Sequence, residues 1–261
     1  MIIMQSELKV ALIQTPLIWE NPLENRSMFS QKIREIPSDT DMIILPEMFT
    51  TGFTMNPGGV NAKEGEITVN WMKQIARDKN MALVGSISFN EKNKFTNRLF
   101  FIYPDGTSKS YDKKHTFTFA GEDEVYDSGK ERLVFSYKGF RICPLICYDL
   151  RFPVWARYKG DYDLLLFVAN WPEPRIDAWD TLLKARAIEN MSYCIGVNRL
   201  GEDNNALRYP GHSAIYDPMG SQVVFSKKDE VLYASLSLKH LKDLRAQFKF
   251  LEDRDDFSLK Q

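Results

Sequence analysis

The chain has only three cysteines and three histidines in 261 residues, and these scarcities narrow the chemistry. Cys143, Cys147 and Cys194 are odd in number and lie in apolar surroundings, which speaks against a disulfide framework and for a reducing cytoplasm. His115, His212 and His240 are scattered and make neither an H-E-x-x-H pair nor a Cys/His cluster, so no metal is expected. No glycine-rich loop of the G-x-G-x-x-G or G-x-x-x-x-G-K kind follows a strand, which removes the usual nucleotide-binding reading. No apolar run reaches the length of a membrane span. Met1 to Val10 is polar at Gln5, Ser6, Glu7 and Lys9 and lacks the pattern of a signal peptide, so a cytoplasmic protein is expected. An excess of one charge is lacking too, since 34 basic and 35 acidic residues give a formal net charge of -1. The pairs Lys113-Lys114 and Lys227-Lys228 are too small for a basic stripe, so neither nucleic acid nor an anionic membrane is an expected partner.

What is present is the ordinary mix of a globular protein, 44% hydrophobic and 26% charged. Leu8 to Ile13 reads as a first strand, Leu23 to Ile36 as a helix, and Met42 to Leu45 as a buried strand stopped by Pro46. Val69 to Asp78 follows as a helix and Ala82 to Phe89 as a strand. Arg98 to Tyr103 and Ser108 to Tyr111 form a meander through Pro104-Asp105-Gly106. Leu133 to Tyr137 and Phe140 to Ile146 make a hairpin through Lys138-Gly139. Phe152 to Tyr158 (helix), Leu164 to Val168 (strand), Thr181 to Met191 (helix) and Tyr193 to Asn198 (strand) come next. Ala214 to Tyr216 and Val223 to Phe225 form a second hairpin, and Leu232 to Leu236 with a helix from Lys239 to Phe248 close the chain. Buried strands with intervening helices and hairpins predict layered α/β architecture with mixed sheets. No linker divides the chain, so residues 1–261 are expected to form one domain.

Three chemically useful residues fall at strand ends, where α/β folds place their sites. Glu47 follows the second strand, Lys113 the meander, and Cys147 the run Phe140 to Ile146. A cysteine at a strand-to-helix turn can be a nucleophile because the turn exposes its sulfur, a helix start lowers its pKa and nearby N–H groups can bind an oxyanion. Glu47 is the available base and Lys113 the available electrophile. Taken alone, each also reads blandly, as a buried thiol, a solvated acid and an exposed basic corner.

The surrounding motifs resemble those of the nitrilase or carbon–nitrogen hydrolase family. They are Leu45-Pro46-Glu47-Met48-Phe49, Tyr111-Asp112-Lys113-Lys114-His115 and Leu145-Ile146-Cys147-Tyr148-Asp149-Leu150-Arg151-Phe152-Pro153. Ala169-Asn170-Trp171-Pro172, the stretch Lys184 to Asn190 and Gly196-Val197-Asn198-Arg199 continue the likeness over nearly the whole chain. Phe119 to Glu124 and Phe250 to Asp255 are similar to the bacterial ω-amidase branch of that family. The resemblance implies a four-layer αββα sandwich, a homodimer, and a Glu–Lys–Cys triad of Glu47, Lys113 and Cys147 working without metal or cofactor. It implies Glu122 as a second glutamate, with Glu124 as the alternative, and Tyr148 as the backbone oxyanion donor. Lys114 departs from the apolar residue that many relatives carry there. The implied substrate is a small amide, the ω-amide of a 2-oxo dicarboxylate such as 2-oxoglutaramate or 2-oxosuccinamate. Arg175 or Arg151 would take its carboxylate, or would instead serve a structural ion pair, and Phe49, Phe117 and Trp171 would wall the pocket. The alternatives are a hydrolase of other amides, nitriles or N-carbamoyl compounds, a Cys–His enzyme using His115 or His212, and a non-catalytic interaction module.

Overall fold

The computed structural model describes residues 7–59, 61 and 63–259. Met1 to Ser6, the start of the segment weighed against a signal peptide, lie outside the described residues. In chain order the elements are β1 (Glu7–Gln14), α1 (Pro22–Arg34), β2 (Met42–Ile44), α2 (Glu64–Lys79), β3 (Ala82–Glu91), β4 (Lys94–Ile102), β5 (Ser108–Asp112) and α3 (Glu122–Val125). They continue with β6 (Phe135–Tyr137), β7 (Phe140–Ile146), α4 (Pro153–Ala156), β8 (Leu164–Ala169), α5 (Ile176–Asn190) and β9 (Tyr193–Asn198). The remainder is β10 (Leu200–Glu202), β11 (Arg208–Pro210), β12 (Ser213–Tyr216), β13 (Gln222–Ser226), β14 (Glu230–Ser237) and α6 (Leu238–Phe248).

Two six-stranded mixed sheets result, in the orders β14-β1-β2-β3-β4-β5 and β13-β12-β9-β8-β7-β6. Each has a parallel centre, β1-β2-β3 and β7-β8-β9, flanked by antiparallel strands. The period-two alternation of β1 sorts its side chains between two cores. Leu8, Val10 and Leu12 join the core shared with the second sheet, whereas Ala11 and Ile13 join the one under α1 and α2. Each such leucine or isoleucine, fully buried, contributes roughly 1.5–3 kcal/mol. On the outer face of the second sheet, Trp179, Leu183 and Ala187 recur every fourth residue of α5 and are buried, and Leu238 and Leu241 of α6 join the same core. Gly196 in β9 allows that approach, because a Cβ there would stand 2.3 Å from Leu183 Cδ1. The layers are therefore helices, sheet, sheet, helices.

Several elements depart from the sequence reading, among them α3, which was not expected, β4, which begins at Lys94 rather than Arg98, and α4, which is confined to Pro153–Ala156. Helix α2 begins at Glu64 rather than Val69, since its first turns are buried through Gly65 and Thr68, which apolar periodicity does not register. Helix α5 likewise begins at Ile176 rather than Thr181, with Trp179 seated in its first turn. The β10–β11 hairpin, which was not expected at all, is too polar to read as strands.

Candidate active site

Beyond β2 the chain turns sharply at Met48, whose φ is 42°. The Met48 N–H donates to Ser86 Oγ at 3.0 Å and the Phe49 N–H to Ser86 O at 3.1 Å. This turn points Glu47 into the site and sends Phe49 the other way, edge-on to Phe29 in the core under α1 and α2. Phe49 is therefore not a pocket wall, contrary to the sequence expectation. Lys113, just past β5, is pinned by its own N–H to Asn97 O at 3.0 Å and by the Gly129 N–H to its carbonyl at 2.8 Å.

Cys147 opens a 3-10 turn, Cys147–Arg151, with φ at 44°. Asp149, fully buried, holds that turn from within. Its Oδ2 accepts from Ile146 N at 3.0 Å and Tyr111 Oη at 2.8 Å. Its Oδ1 accepts from His115 N at 3.0 Å and faces His115 Nδ1 at 2.8 Å. The His115 ring stacks on Phe152 with centroids 3.7 Å apart, so this histidine braces the Cys147 turn rather than facing the sulfur. His212 is bound to Asp180 at 2.8 Å, and no histidine lines the cavity.

Four buried side chains converge. Lys113 Nζ donates to Glu47 Oε1 at 2.9 Å and to Glu122 Oε1 and Oε2 at 3.0 and 2.8 Å. Glu47 Oε2 accepts from Asn170 N at 2.7 Å, and Asn170 Nδ2 reaches the Glu47 carbonyl at 2.7 Å. Glu122 Oε2 accepts from Phe117 N at 2.6 Å. Cys147 Sγ lies 4.0 Å from Asn170 O. Glu124 is exposed, so Glu122 is the glutamate in contact with Lys113. Lys114 turns away to the Trp155 ring, 5.6 Å from its centroid.

Burial alone would lower the Lys113 pKa, but the Glu122 and Glu47 carboxylates outweigh it and hold the ammonium charged well above the ordinary range. Burial also raises the Glu122 carboxyl, against the pull of Lys113. For Cys147, burial first and then the charge of Glu47 push the thiol well above its ordinary value. The sequence expectation of an exposed sulfur with a lowered pKa is thereby corrected. Desolvation in the 9% exposed site overrides the weak dipole of one short turn.

The cluster floors a cavity of about 350 Å³. Of the residues singled out in the sequence, Phe117, Tyr148, Arg151, Trp171 and Arg175 line it with Lys113 and Cys147. Arg175 lies over the Phe117 ring at 5.1 Å and Arg151 over Trp171 at 5.1 Å. Among the described residues neither guanidinium makes an ion pair, whereas Arg208 on the same side reaches Glu173. Sequence reasoning missed Phe53, Met55, Asp203, Asn205, Leu207 and Tyr209, which also line the wall. Asn170 was noted only as part of a motif. Among the described residues no group of three or more His, Cys, Asp or Glu is placed to hold a metal ion, and no helix is long and apolar enough to cross a membrane.

Two stacked mixed sheets between helical layers, with a buried acid, lysine and cysteine gathered at strand ends, define a nitrilase-like class of hydrolase. The family model for carbon-nitrogen hydrolases matches residues 9–246, and the chain belongs to that family. It is 43% identical to omega-amidase YafV of Yersinia enterocolitica, covering 97% of this chain and 99% of that one. It is 30% identical to 2-oxoglutaramate amidase of Bacillus subtilis, covering 94% and 96% respectively. The crystal structure of XC1258 from Xanthomonas campestris, a CN-hydrolase superfamily protein with an arsenic adduct in its active site, superposes with a TM-score of 0.93. That protein is 39% identical, with coverage of 97% and 99%.

Proposed function

We propose that the chain is an ω-amidase, hydrolysing the terminal amide of small 2-oxo dicarboxylate monoamides such as 2-oxoglutaramate and 2-oxosuccinamate to the dicarboxylate and ammonia. The observation that carries this reading is the contact of Lys113 with Glu47 beside Cys147, on the floor of a cavity that also holds two arginines without an ion pair among the described residues. The relatives named omega-amidase and 2-oxoglutaramate amidase support the same substrate class.

In the proposed mechanism Glu47 takes the Cys147 proton as the sulfur attacks the amide carbonyl. A buried neutral thiol needs such a base at the moment of reaction. The oxyanion forms against Lys113 Nζ and the Tyr148 N–H. Glu122 keeps Lys113 charged and placed. Collapse of the tetrahedral intermediate breaks the carbon–nitrogen bond, and the proton held by Glu47 leaves with the amine as ammonia. Glu47 then draws a proton from water, which attacks the thioester, and the thiol is restored as the acid departs. No cofactor enters these steps. As part of the same proposal, residues 1–261 act as one catalytic domain in a cytoplasmic homodimer.

Arg175 and Arg151 are assigned to the substrate carboxylate. Arg175→Ala is expected to raise KM for 2-oxoglutaramate about 10–100-fold, the worth of one charge-assisted hydrogen bond, with a smaller change in kcat. Ammonia release measured across 2-oxoglutaramate, glutamine, simple nitriles and N-carbamoyl amino acids tests the whole reading. Activity confined to nitriles or carbamoyl compounds would overturn the substrate assignment.

A further inference from the structure

Asn97 stands in β4 between Thr96 and Arg98, and no sequence motif singles it out. Its carbonyl accepts the Lys113 main-chain N–H at 3.0 Å, while its Nδ2 donates to Glu47 Oε1 at 2.8 Å and to Glu122 Oε1 at 3.1 Å. One residue thus fixes the lysine through its backbone and both carboxylate partners of that lysine through its side chain. Asn97 is 1% exposed, and its Oδ1 has no hydrogen-bond partner among the described residues. Leaving a buried acceptor unsatisfied is costly, so the amide orientation answers to a stronger demand. Turned over, it would set a carbonyl oxygen against two carboxylates.

That demand comes from charge. Two buried carboxylates share one ammonium, and like charges so close drive one of them to take up a proton unless other donors intervene. The titratable groups facing the pair are Lys113 beyond β5, Cys147 beyond β7, Tyr126 beyond α3 and Tyr209 on β11. Of these only Lys113 is cationic, so neutral N–H donors must make up the difference. Among the described residues Asn97 is the one neutral donor bonded to both acids, which otherwise share only the lysine.

We propose that Asn97 is a positioning residue for the hydrolysis, holding Glu47 and Glu122 as a matched pair around Lys113 so that Glu47 is placed to receive the Cys147 proton. This rests on the roles assigned above to Glu47, Lys113 and Cys147. Without that donor the two like charges are less compensated, which favours the protonated form of the pair and carries the acid limb of the reaction to higher pH.

The test compares Asn97→Leu, similar in size but without a donor, and Asn97→Ser, a smaller side chain that keeps one hydroxyl donor. For Asn97→Leu the acid limb of kcat/KM for 2-oxoglutaramate is expected to move up by about one pH unit, with kcat reduced about 10–100-fold. Asn97→Ser is expected to fall between Asn97→Leu and the parent. The pH dependence of Cys147 alkylation by iodoacetamide gives the same limb without turnover. Should Asn97→Leu fail to fold, as judged by thermal unfolding, the serine variant alone decides. An acid limb that stays in place in the folded variants overturns the inference, whatever the loss in rate. Cys147→Ala, assayed alongside, separates the two levels. Full activity in that variant refutes the catalytic assignment itself, whereas an inactive Cys147→Ala beside an unshifted Asn97 variant refutes only the role of Asn97.

Discussion

Cys147→Ala is expected to lose ammonia release from 2-oxoglutaramate by a factor on the order of 10⁵ or more in kcat. Among the described residues the cavity walls carry no serine, threonine or histidine to replace the sulfur. The other two cysteines are no substitute. Cys143 and Cys194 are fully buried within the second sheet, and burial pushes the Cys143 thiol up to about 12. The small side chain removed leaves the hydrogen bonds of Asp149 to the turn intact, so the protein should fold and still bind substrate. Steady-state ammonia release and calorimetric binding of 2-oxoglutaramate check both halves. Turnover at the parent rate by the alanine variant would falsify the mechanism, whatever the substrate.

Lys113→Leu is the second large effect, and it falls on stability as well as rate. Removal of an oxyanion donor costs about 10²–10³ in kcat. Removal of the ammonium also strands Glu47 and Glu122 in a buried site, which destabilises by roughly 3–5 kcal/mol. In the parent the Lys113 pKa lies above its ordinary 10.5. Its contribution to stability is therefore complete below about pH 10 and is lost only as pH rises through the raised folded value. In the variant Glu122, which burial already raises, loses the counter-ion that pulls it down, so its carboxyl lies further above that of the unfolded chain. Groups raised in this way favour the fold at low pH and penalise it as pH rises. The destabilisation should accordingly be greater at about pH 8 than at about pH 5, measured by urea unfolding. An equal loss at both pH values would dismiss the ion-pair account. Lys114→Leu, which removes an ammonium lying over the Trp155 ring and not among the buried cluster, should leave kcat within about twofold of the parent.

The parts of the molecule legible in the sequence are those where one local signal agrees with the tertiary structure. Met42 to Leu45 and Leu164 to Val168 are unbroken apolar runs, and each is a central, doubly covered strand. Glu47, Lys113 and Cys147 stand at strand ends inside recognisable motifs, and the fold brings Lys113 and Cys147 to one cavity with Glu47 bonded to that lysine. The depth of Glu122 was hidden, because Gly121-Glu122-Asp123-Glu124 has the composition of a solvated turn and only the contact with Lys113 separates Glu122 from Glu124. Phe49 was misplaced because the left-handed Met48 reverses the side on which the next residue points. The hairpin carrying Tyr209 was invisible for another reason. Leu200-Gly201-Glu202 and Arg208-Tyr209-Pro210 have no apolar alternation, and Arg199 holds them instead by donating to Leu17 O at 3.1 Å and Glu202 O at 3.2 Å. Asn97 bonds two acids far from it in sequence, and no local pattern carries that information.

The backbone of Cys147 has one more consequence. A side chain with a Cβ is uncomfortable at φ 44°, a conformation that costs a non-glycine residue roughly 1–2 kcal/mol. At an ordinary site alanine is the more stabilising neighbour of glycine, but here the order should invert. Cys147→Gly is expected to unfold at higher urea than Cys147→Ala by an amount equivalent to about 1 kcal/mol. The chain is thus locally frustrated at the residue that carries the proposed nucleophile, and the surrounding sheets and the Asp149 clasp supply the rigidity that keeps the frustrated geometry in place.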